Sequence, residues 1–208
     1  MNRCFEIIEK NKLVPCVSLP DAECAVPVAA ALEKGGVHAV EIMMRTDAAI
    51  EGIEKISAAM PDYVCGAGTV LTPESADAAM KAGAGFIVSP GFDERLVDYC
   101  IEKGYPVIPG VATPGEIQKA YVRGLRVLKF FPSEALGGLD MLKQLSGPFP
   151  GVRYLCTGGI NAGNIRKYID SPLVFAAGGT FVTPKEAIIE GKYDEITALC
   201  RKLTGETK

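Results

Sequence analysis

The chain has 208 residues, a length typical of one domain, and carries 48% hydrophobic and 23% charged residues with a formal net charge of −3. This balance excludes a large basic surface of the kind that binds nucleic acid or an acidic membrane, and no apolar run approaches the ~18 residues of a transmembrane helix. A zinc site built from several histidines of one chain is also excluded, because His38 is the only histidine.

The N-terminus, MNRCFEIIEKNK, contains acidic residues and lacks a long apolar segment, so a short helix is expected there and not a signal peptide. The seven cysteines form no CxxC pair, which indicates reduced, buried thiols in a cytoplasmic protein. Because no linker or low-complexity tract divides the chain, residues 1–208 are predicted to form one domain.

Short apolar runs recur along the chain, each followed by a turn and an amphipathic stretch. The predicted strands are LVPCVS (13–18), VHAVEIM (37–43), YVCGAG (63–68), GFIVS (85–89), YPVIP (105–109), RVLKFF (126–131), RYLC (153–156) and LVFAA (173–177). Several of the intervening helices are predicted to begin at Thr or Asp and to end at Gly.

Eight strands that alternate with helices imply a parallel sheet, and a period of roughly 20–25 residues favours a closed (β/α)8 barrel. The alternative is an open doubly wound sheet. Its GxGxxG fingerprint would follow the first strand, but the segment there reads SLPDAECA and has no glycine. The sequence therefore predicts the barrel.

Polar and glycine residues cluster where the predicted strands end, which is the face that carries the active site in such barrels. Lys129 lies in the sixth strand, and alternation places Val127, Lys129 and Phe131 toward the barrel interior. Burial disfavours the charged form of a lysine and thus favours a neutral, nucleophilic amine. The alternative is a structural lysine in a buried ion pair.

In the second strand, Glu41 is predicted to point inward with Val37, Ala39 and Met43, either as a proton shuttle or as a salt-bridge partner of Lys129. Arg45, just beyond this strand, could bind a carboxylate through two parallel hydrogen bonds.

Further candidates follow the other strands. The Thr69 hydroxyl could donate a hydrogen bond to the same carboxylate as Arg45. The alternative is that Thr69 is a turn residue or a helix cap. Gly158-Gly159 and Gly178-Gly179-Thr180 follow strands seven and eight, where many barrels bind phosphate through backbone N–H groups. His38 starts the second strand, at the opposite end, and is predicted to be structural.

From about Leu13 to Thr183 the chain resembles the 2-keto-3-deoxy-6-phosphogluconate (KDPG) and 4-hydroxy-2-oxoglutarate (KHG) aldolases. The matching segments are VEIMMRT (40–46), GAGTVLTPE (66–74), IVSPG (87–91), VIPGVATP (107–114), LKFFPSEALGG (128–138), GPFPGVRYLCTGGI (147–160) and AAGGTFV (176–182). The resemblance implies a trimeric barrel of eight strands that acts on small 2-keto acids and needs no metal or other cofactor.

By position, the resemblance implies a role for each candidate. It makes Lys129 the Schiff-base lysine and Glu41 the proton-shuttling glutamate, and it assigns the pyruvyl carboxylate to Arg45 and Thr69. The residues implied for the rest of the pocket are Pro90 and Phe131 as walls, Gly158, Gly159 and Thr180 as phosphate contacts, and Thr157 as a further lining residue.

One position departs from the pattern, because the family commonly has a small hydroxyl residue where Met43 stands. This leaves substrate preference open more than reaction class. The alternatives are a metal-dependent aldolase, which the single histidine disfavours, a 6-phosphogalactonate aldolase that differs in substrate stereochemistry, a phosphosugar isomerase barrel and a non-catalytic keto-acid binder.

Overall fold

The computed structural model describes residues 2–205, in which parallel strands alternate with helices. The strands are β1 (Cys16–Val17), β2 (Ala39–Met43), β3 (Val64–Gly68), β4 (Ile87–Val88), β5 (Val107–Ile108), β6 (Gly110–Val111), β7 (Val127–Phe130), β8 (Arg153–Cys156) and β9 (Val174–Ala177). The helices are α1 (Arg3–Asn11), α2 (Ala25–Lys34), α3 (Ala48–Ala59), α4 (Pro73–Lys81), α5 (Glu94–Lys103), α6 (Pro114–Val122), α7 (Gly138–Ser146), α8 (Ile165–Ile169), α9 (Lys185–Ile189) and α10 (Tyr193–Thr204).

The nine strand segments form the eight strands of a closed barrel. They pair in parallel in the orders β1-β2-β3-β4-β5 and β6-β7-β8-β9. Only Pro109 separates β5 from β6, and its carbonyl accepts a hydrogen bond from the Lys129 N–H, so the two segments are one strand in the barrel wall. A parallel bridge between Leu13 and Ala177 joins the first strand to the last, and the predicted (β/α)8 barrel is confirmed.

Two apolar layers account for this architecture. Inside the barrel lies a cluster that includes Val14, Ala39, Phe86, Val127 and Leu155. A larger cluster lies between the outer faces of the strands and the helices, and it includes Leu128 and Phe130. The strands are therefore buried on both faces, as parallel strands covered by helices usually are.

The alternation predicted for the sixth strand is confirmed by these two layers, because Val127 lies in the inner one and its neighbours Leu128 and Phe130 in the outer one. Val37 is an exception to the alternation predicted for the second strand. It packs in the outer cluster, because it precedes the first paired residue of β2, Ala39.

Local sequence sets the helix ends. The Thr72 hydroxyl and Ser75 form a capping box at the start of α4, and Thr113 and Glu116 form another at the start of α6. Each box is followed by proline at the first helical position, where the missing N–H costs no helical hydrogen bond. The Asp93 carboxylate caps α5 by accepting a hydrogen bond from the Leu96 N–H, which fits the predicted Thr and Asp helix starts.

The predicted N-terminal helix is α1, which closes the N-terminal end of the barrel. Its Ile8 belongs to the inner cluster, and Cys4, Phe5 and Ile7 pack against that cluster. This helix leaves the opposite end, where the strands terminate at their carboxyl ends, as the open mouth. Across residues 2–205, no helix combines the length and the apolar character that crossing a membrane requires.

Candidate active site

A pocket with a cavity volume of about 170 Å³ lies at the carboxyl ends of the strands. It is lined by Cys16, Glu41, Met43, Arg45, Lys129, Phe131, Thr157, Gly158, Gly159, Ile160, Gly179 and Thr180. These residues come from β1, β2 and β7 and from the loops after β2, β7, β8 and β9, so the barrel wall converges on one cavity, the usual position of an active site in this fold.

A buried lysine–glutamate pair lies at the base of this pocket. The Lys129 Nζ donates a hydrogen bond to the Glu41 Oε1 over 3.1 Å, and the residues are 7% and 1% exposed. The second carboxylate oxygen, Oε2, is buried and has no hydrogen-bond partner among residues 2–205. The Lys129 Nζ also lies 5.4 Å from the centre of the Phe131 ring. The pair thus places an amine and a carboxylate, both almost fully buried, within proton-transfer distance.

On the neighbouring strand β3, Gly68 leaves space for the Glu41 side chain because glycine has no side chain of its own. Gly68 is the register partner of Met43, and a Cβ built on Gly68 would lie 2.5 Å from the Glu41 Cγ and 2.6 Å from its Cδ. Gly66 is also closely approached, by the ring of Phe86 from below. Gly68 therefore leaves space for the Glu41 carboxylate, and Gly66 leaves space for the Phe86 ring in the core beneath it.

Arg45 and Thr69 meet at the rim of the pocket. The Arg45 Nε donates to the Thr69 Oγ1 over 3.0 Å, and Thr69 has a left-handed backbone with φ of 57°. A threonine rarely adopts this conformation, which turns its hydroxyl toward the guanidinium. Within the described residues the terminal guanidinium nitrogens of Arg45 contact no acceptor, so they are available to an anion.

Glycine-rich loops form the wall opposite Arg45. Gly158 and Gly159 have φ of 91° and 79°, values that favour glycine, and a Cβ on either would press on Pro132 or Glu134. Among the described residues, neither N–H finds an acceptor. Thr157, which is 3% exposed, has a hydroxyl without a hydrogen-bond partner. Together with Thr180 these groups offer hydrogen-bond donors to an anion.

The loop after β7 braces this wall. The Ser133 N–H donates to the Thr157 carbonyl, and the Glu134 N–H donates to the Gly158 carbonyl. The Glu134 carboxylate accepts hydrogen bonds from the Tyr168 hydroxyl and, over 3.1 Å, from the Lys167 ammonium. The bond from Tyr168, together with Lys167 and against the effect of burial, lowers the pKa of Glu134. The glycine loop is thereby fixed to the lysine-bearing strand.

The structure brings most of the sequence candidates together. The pocket lining includes Glu41, Arg45, Lys129, Phe131, Thr157, Gly158, Gly159 and Thr180. Thr69 joins them through Arg45. Pro90 does not line the cavity. It is half-buried after β4, and its carbonyl lies against Gly110. His38 is exposed at the N-terminal end of the barrel, away from the pocket.

Cys16 and Ile160 line the pocket although the sequence had not singled them out, whereas Met43 and Gly179 had been placed at this end of the barrel without an assigned role. Cys16 could have been found by alternation along the first strand, which puts Val14 and Cys16 on one face. Burial and the nearby charge of Glu41 raise the pKa of the Cys16 thiol, with Lys129 opposing them, so the thiol is protonated at neutral pH. Within residues 2–205, no group of three or more His, Cys, Asp or Glu side chains is arranged to hold a metal ion.

Comparisons with known proteins agree with this geometry. The family model of the KDPG and KHG aldolases matches residues 5–199. The 2-dehydro-3-deoxy-phosphogluconate aldolase of Treponema pallidum is 43% identical over 95% of this chain and 94% of its own length. The KHG/KDPG aldolase of Escherichia coli K12 is 40% identical over 94% of this chain and 92% of its own.

A solved structure is similar over the whole barrel. The KDPG aldolase of Legionella pneumophila, with pyruvate captured as a covalent carbinolamine intermediate, superposes with a TM-score of 0.92 at 37% identity. The match covers 97% of this chain and 98% of the other.

Proposed function

This chain belongs to the family of KDPG and KHG aldolases, and on that premise we propose that it is a class I aldolase that holds its keto-acid substrate as a Schiff base on Lys129. The reaction is the reversible cleavage of 2-dehydro-3-deoxy-6-phosphogluconate to pyruvate and glyceraldehyde 3-phosphate, of 4-hydroxy-2-oxoglutarate to pyruvate and glyoxylate, or of both. The observation that carries this proposal is the buried Lys129–Glu41 pair at the mouth of the barrel.

The pair supplies both the nucleophile and the base. Glu41 accepts a proton from the Lys129 ammonium, and the neutral amine adds to the C2 ketone to give a carbinolamine. The carbinolamine hydroxyl takes that proton from Glu41 and leaves as water, so the product is a protonated imine and an ionised Glu41. The two alternatives weighed for Glu41, ion-pair partner and proton shuttle, are then successive states of one group.

Carbon–carbon cleavage follows from the imine. The Glu41 carboxylate removes the proton of the C4 hydroxyl, the C3–C4 bond breaks, and its electrons move into the protonated imine to form an enamine. The aldehyde leaves and Glu41 returns the proton to C3, which leaves a protonated imine and an ionised Glu41. Hydrolysis of this imine releases pyruvate and restores the Lys129 ammonium.

The two ends of the pocket suit the two ends of such a substrate. The free guanidinium nitrogens of Arg45 and the Thr69 hydroxyl bind the pyruvyl carboxylate. The N–H groups of Gly158 and Gly159 and the Thr180 side chain bind the distal anion, which is a phosphate in the six-carbon substrate and a carboxylate in 4-hydroxy-2-oxoglutarate. Phe131 lies beside the imine as one wall of the pocket.

The rest of the proposal concerns the whole chain. Residues 1–208 form one aldolase domain, which acts in the cytoplasm as a homotrimer without a metal or other cofactor. Neither nucleic acid nor a membrane is a partner. A monomer in sedimentation equilibrium would contradict the trimer, and loss of activity in a strong chelator would contradict metal independence.

The decisive experiment is reduction with borohydride in the presence of pyruvate, followed by peptide mapping. We expect one reduced pyruvyl adduct on Lys129 and none in Lys129→Met, with the variant checked for folding by circular dichroism. No adduct, or an adduct on another lysine, would refute the mechanism. Cleavage rates on the gluconate and galactonate epimers then identify the substrate.

A further inference from the structure

The second oxygen of Glu41 poses a physical problem. This residue is 1% exposed, its Oε1 accepts a hydrogen bond from Lys129, and its buried Oε2 has no partner in the described part of the chain. An ionised carboxylate oxygen in such a site is costly unless a donor faces it. The mechanism proposed above requires Glu41 to be ionised at the bond-breaking step, so the source of that donor matters.

Most neighbours of Glu41 in the barrel wall offer no side-chain donor. On the β3 side the facing positions are Gly66 and Gly68, which have no side chain, and the carboxylate packs directly over Gly68. Across the barrel, the Lys129 Nζ already donates its hydrogen bond to the other oxygen, Oε1. Arg45 lies at the rim, where its Nε donates to Thr69.

On the β1 side the neighbour is Cys16. It is the register partner of Glu41, so the two side chains lie on the same face of the barrel wall, and both line the pocket. Its thiol is 5% exposed and belongs to no disulfide. Burial and the Glu41 charge keep this thiol protonated, and a protonated thiol beside a carboxylate can act only as a donor.

We infer that Cys16 is a positioning residue of the active site, whose S–H donates a hydrogen bond to the Glu41 Oε2 and holds the carboxylate ionised and directed at Lys129. This inference rests on the proposed aldolase function. The S–H is a weak donor, which suits a base that must release and regain a proton in each turnover.

The test compares two substitutions at one position. Cys16→Val replaces the thiol with an apolar group of similar size, and Cys16→Ser keeps a donor. The matched control is Cys65→Val, because Cys65 is a buried thiol on β3 that faces the helices. The pH dependence of kcat/KM for aldol cleavage is measured for all four proteins, with melting temperature as the check on folding.

We expect Cys16→Val to lower kcat about fivefold to tenfold with little change in KM, and to move the acidic limb of the pH profile to higher pH, because loss of the donor disfavours the ionised carboxylate. Cys16→Ser should recover most of the rate, and Cys65→Val should match the parent. Equal impairment of the Val and Ser variants, or an unshifted acidic limb in Cys16→Val, would overturn the inference.

A second measurement is independent of turnover. The infrared S–H stretching band of Cys16 is obtained as the difference between the parent and Cys16→Val spectra. We expect a frequency lowered by hydrogen bonding, and a shift of the band when Glu41→Gln replaces the charged acceptor. A band at the position of a free thiol refutes the hydrogen bond even if the protein is an active aldolase. An inactive parent protein with the lowered band would refute the aldolase function alone.

Discussion

Gly68→Ala tests whether the position of the Glu41 carboxylate limits the rate. Gly68 does not have a positive φ, so alanine fits its backbone and the perturbation is confined to the new methyl group. That Cβ would lie 2.6 Å from the Glu41 Cδ, whereas ordinary contact begins at 3.4 Å. The carboxylate must therefore move by at least about 0.8 Å, because its Oε1 lies closer to that Cβ than its Cδ does, and this displaces it from its 3.1 Å contact with Lys129.

A displacement of roughly 1 Å in a catalytic group can cost on the order of 100-fold in rate, so we expect kcat to fall by about that factor. Pyruvate release is followed in a coupled lactate dehydrogenase assay, and the rate of borohydride trapping with pyruvate should fall in parallel. Gly115→Ala is the control, because a Cβ there meets no atom within 4 Å. A folded Gly68→Ala variant with kcat within threefold of the parent would show that the pair geometry does not set the rate.

Three further substitutions test the substrate contacts, a helix cap and a pH-dependent contact. Arg45→Lys should raise KM severalfold in steady-state assays with kcat nearly unchanged, because a lysine cannot make paired hydrogen bonds to a carboxylate; a fall in kcat alone would contradict this role. Glu116→Ala removes the acceptor for the Thr113 N–H and hydroxyl, and should cost about 1 kcal/mol, seen as a loss of about 2–4 °C in Tm by calorimetry; an unchanged Tm would refute the estimate. Tyr168→Phe should lower Tm at pH 7 because it removes a hydrogen bond to the Glu134 carboxylate. The pKa of Glu134 is lowered in the folded state, so the difference in Tm between variant and parent should shrink as the pH falls below about 4. A difference in Tm that grows at low pH would show that this hydrogen bond does not stabilise the ionised carboxylate.

The sequence predicted much of the barrel because its signals are local. Each strand is a short apolar run whose side chains alternate between the two faces, and each capped helix start depends on a few adjacent residues such as Thr113 and Glu116. Alternation within one strand was sufficient to place Lys129 inside and Leu128 outside. The family motifs added the residues that gather at the strand ends.

The contacts between strands were decided only by the tertiary structure. Glu41 and Lys129 are 88 residues apart, and their 3.1 Å contact depends on how the closed barrel sets the register of strands that are not neighbours in sequence. Register also makes Cys16 the partner of Glu41 and puts Gly68, not another glycine, under the carboxylate. Pro90 matched a motif yet lies outside the cavity lining, because a loop's direction depends on what it packs against.

The sequence by itself thus determined which residues form strands, which faces are buried, and which end of the barrel carries the polar residues, since each of these follows from periodicity over a few residues. The tertiary structure alone decided which side chains touch, because barrel closure fixes strand register through packing of the whole interior, and no short stretch of sequence contains that information.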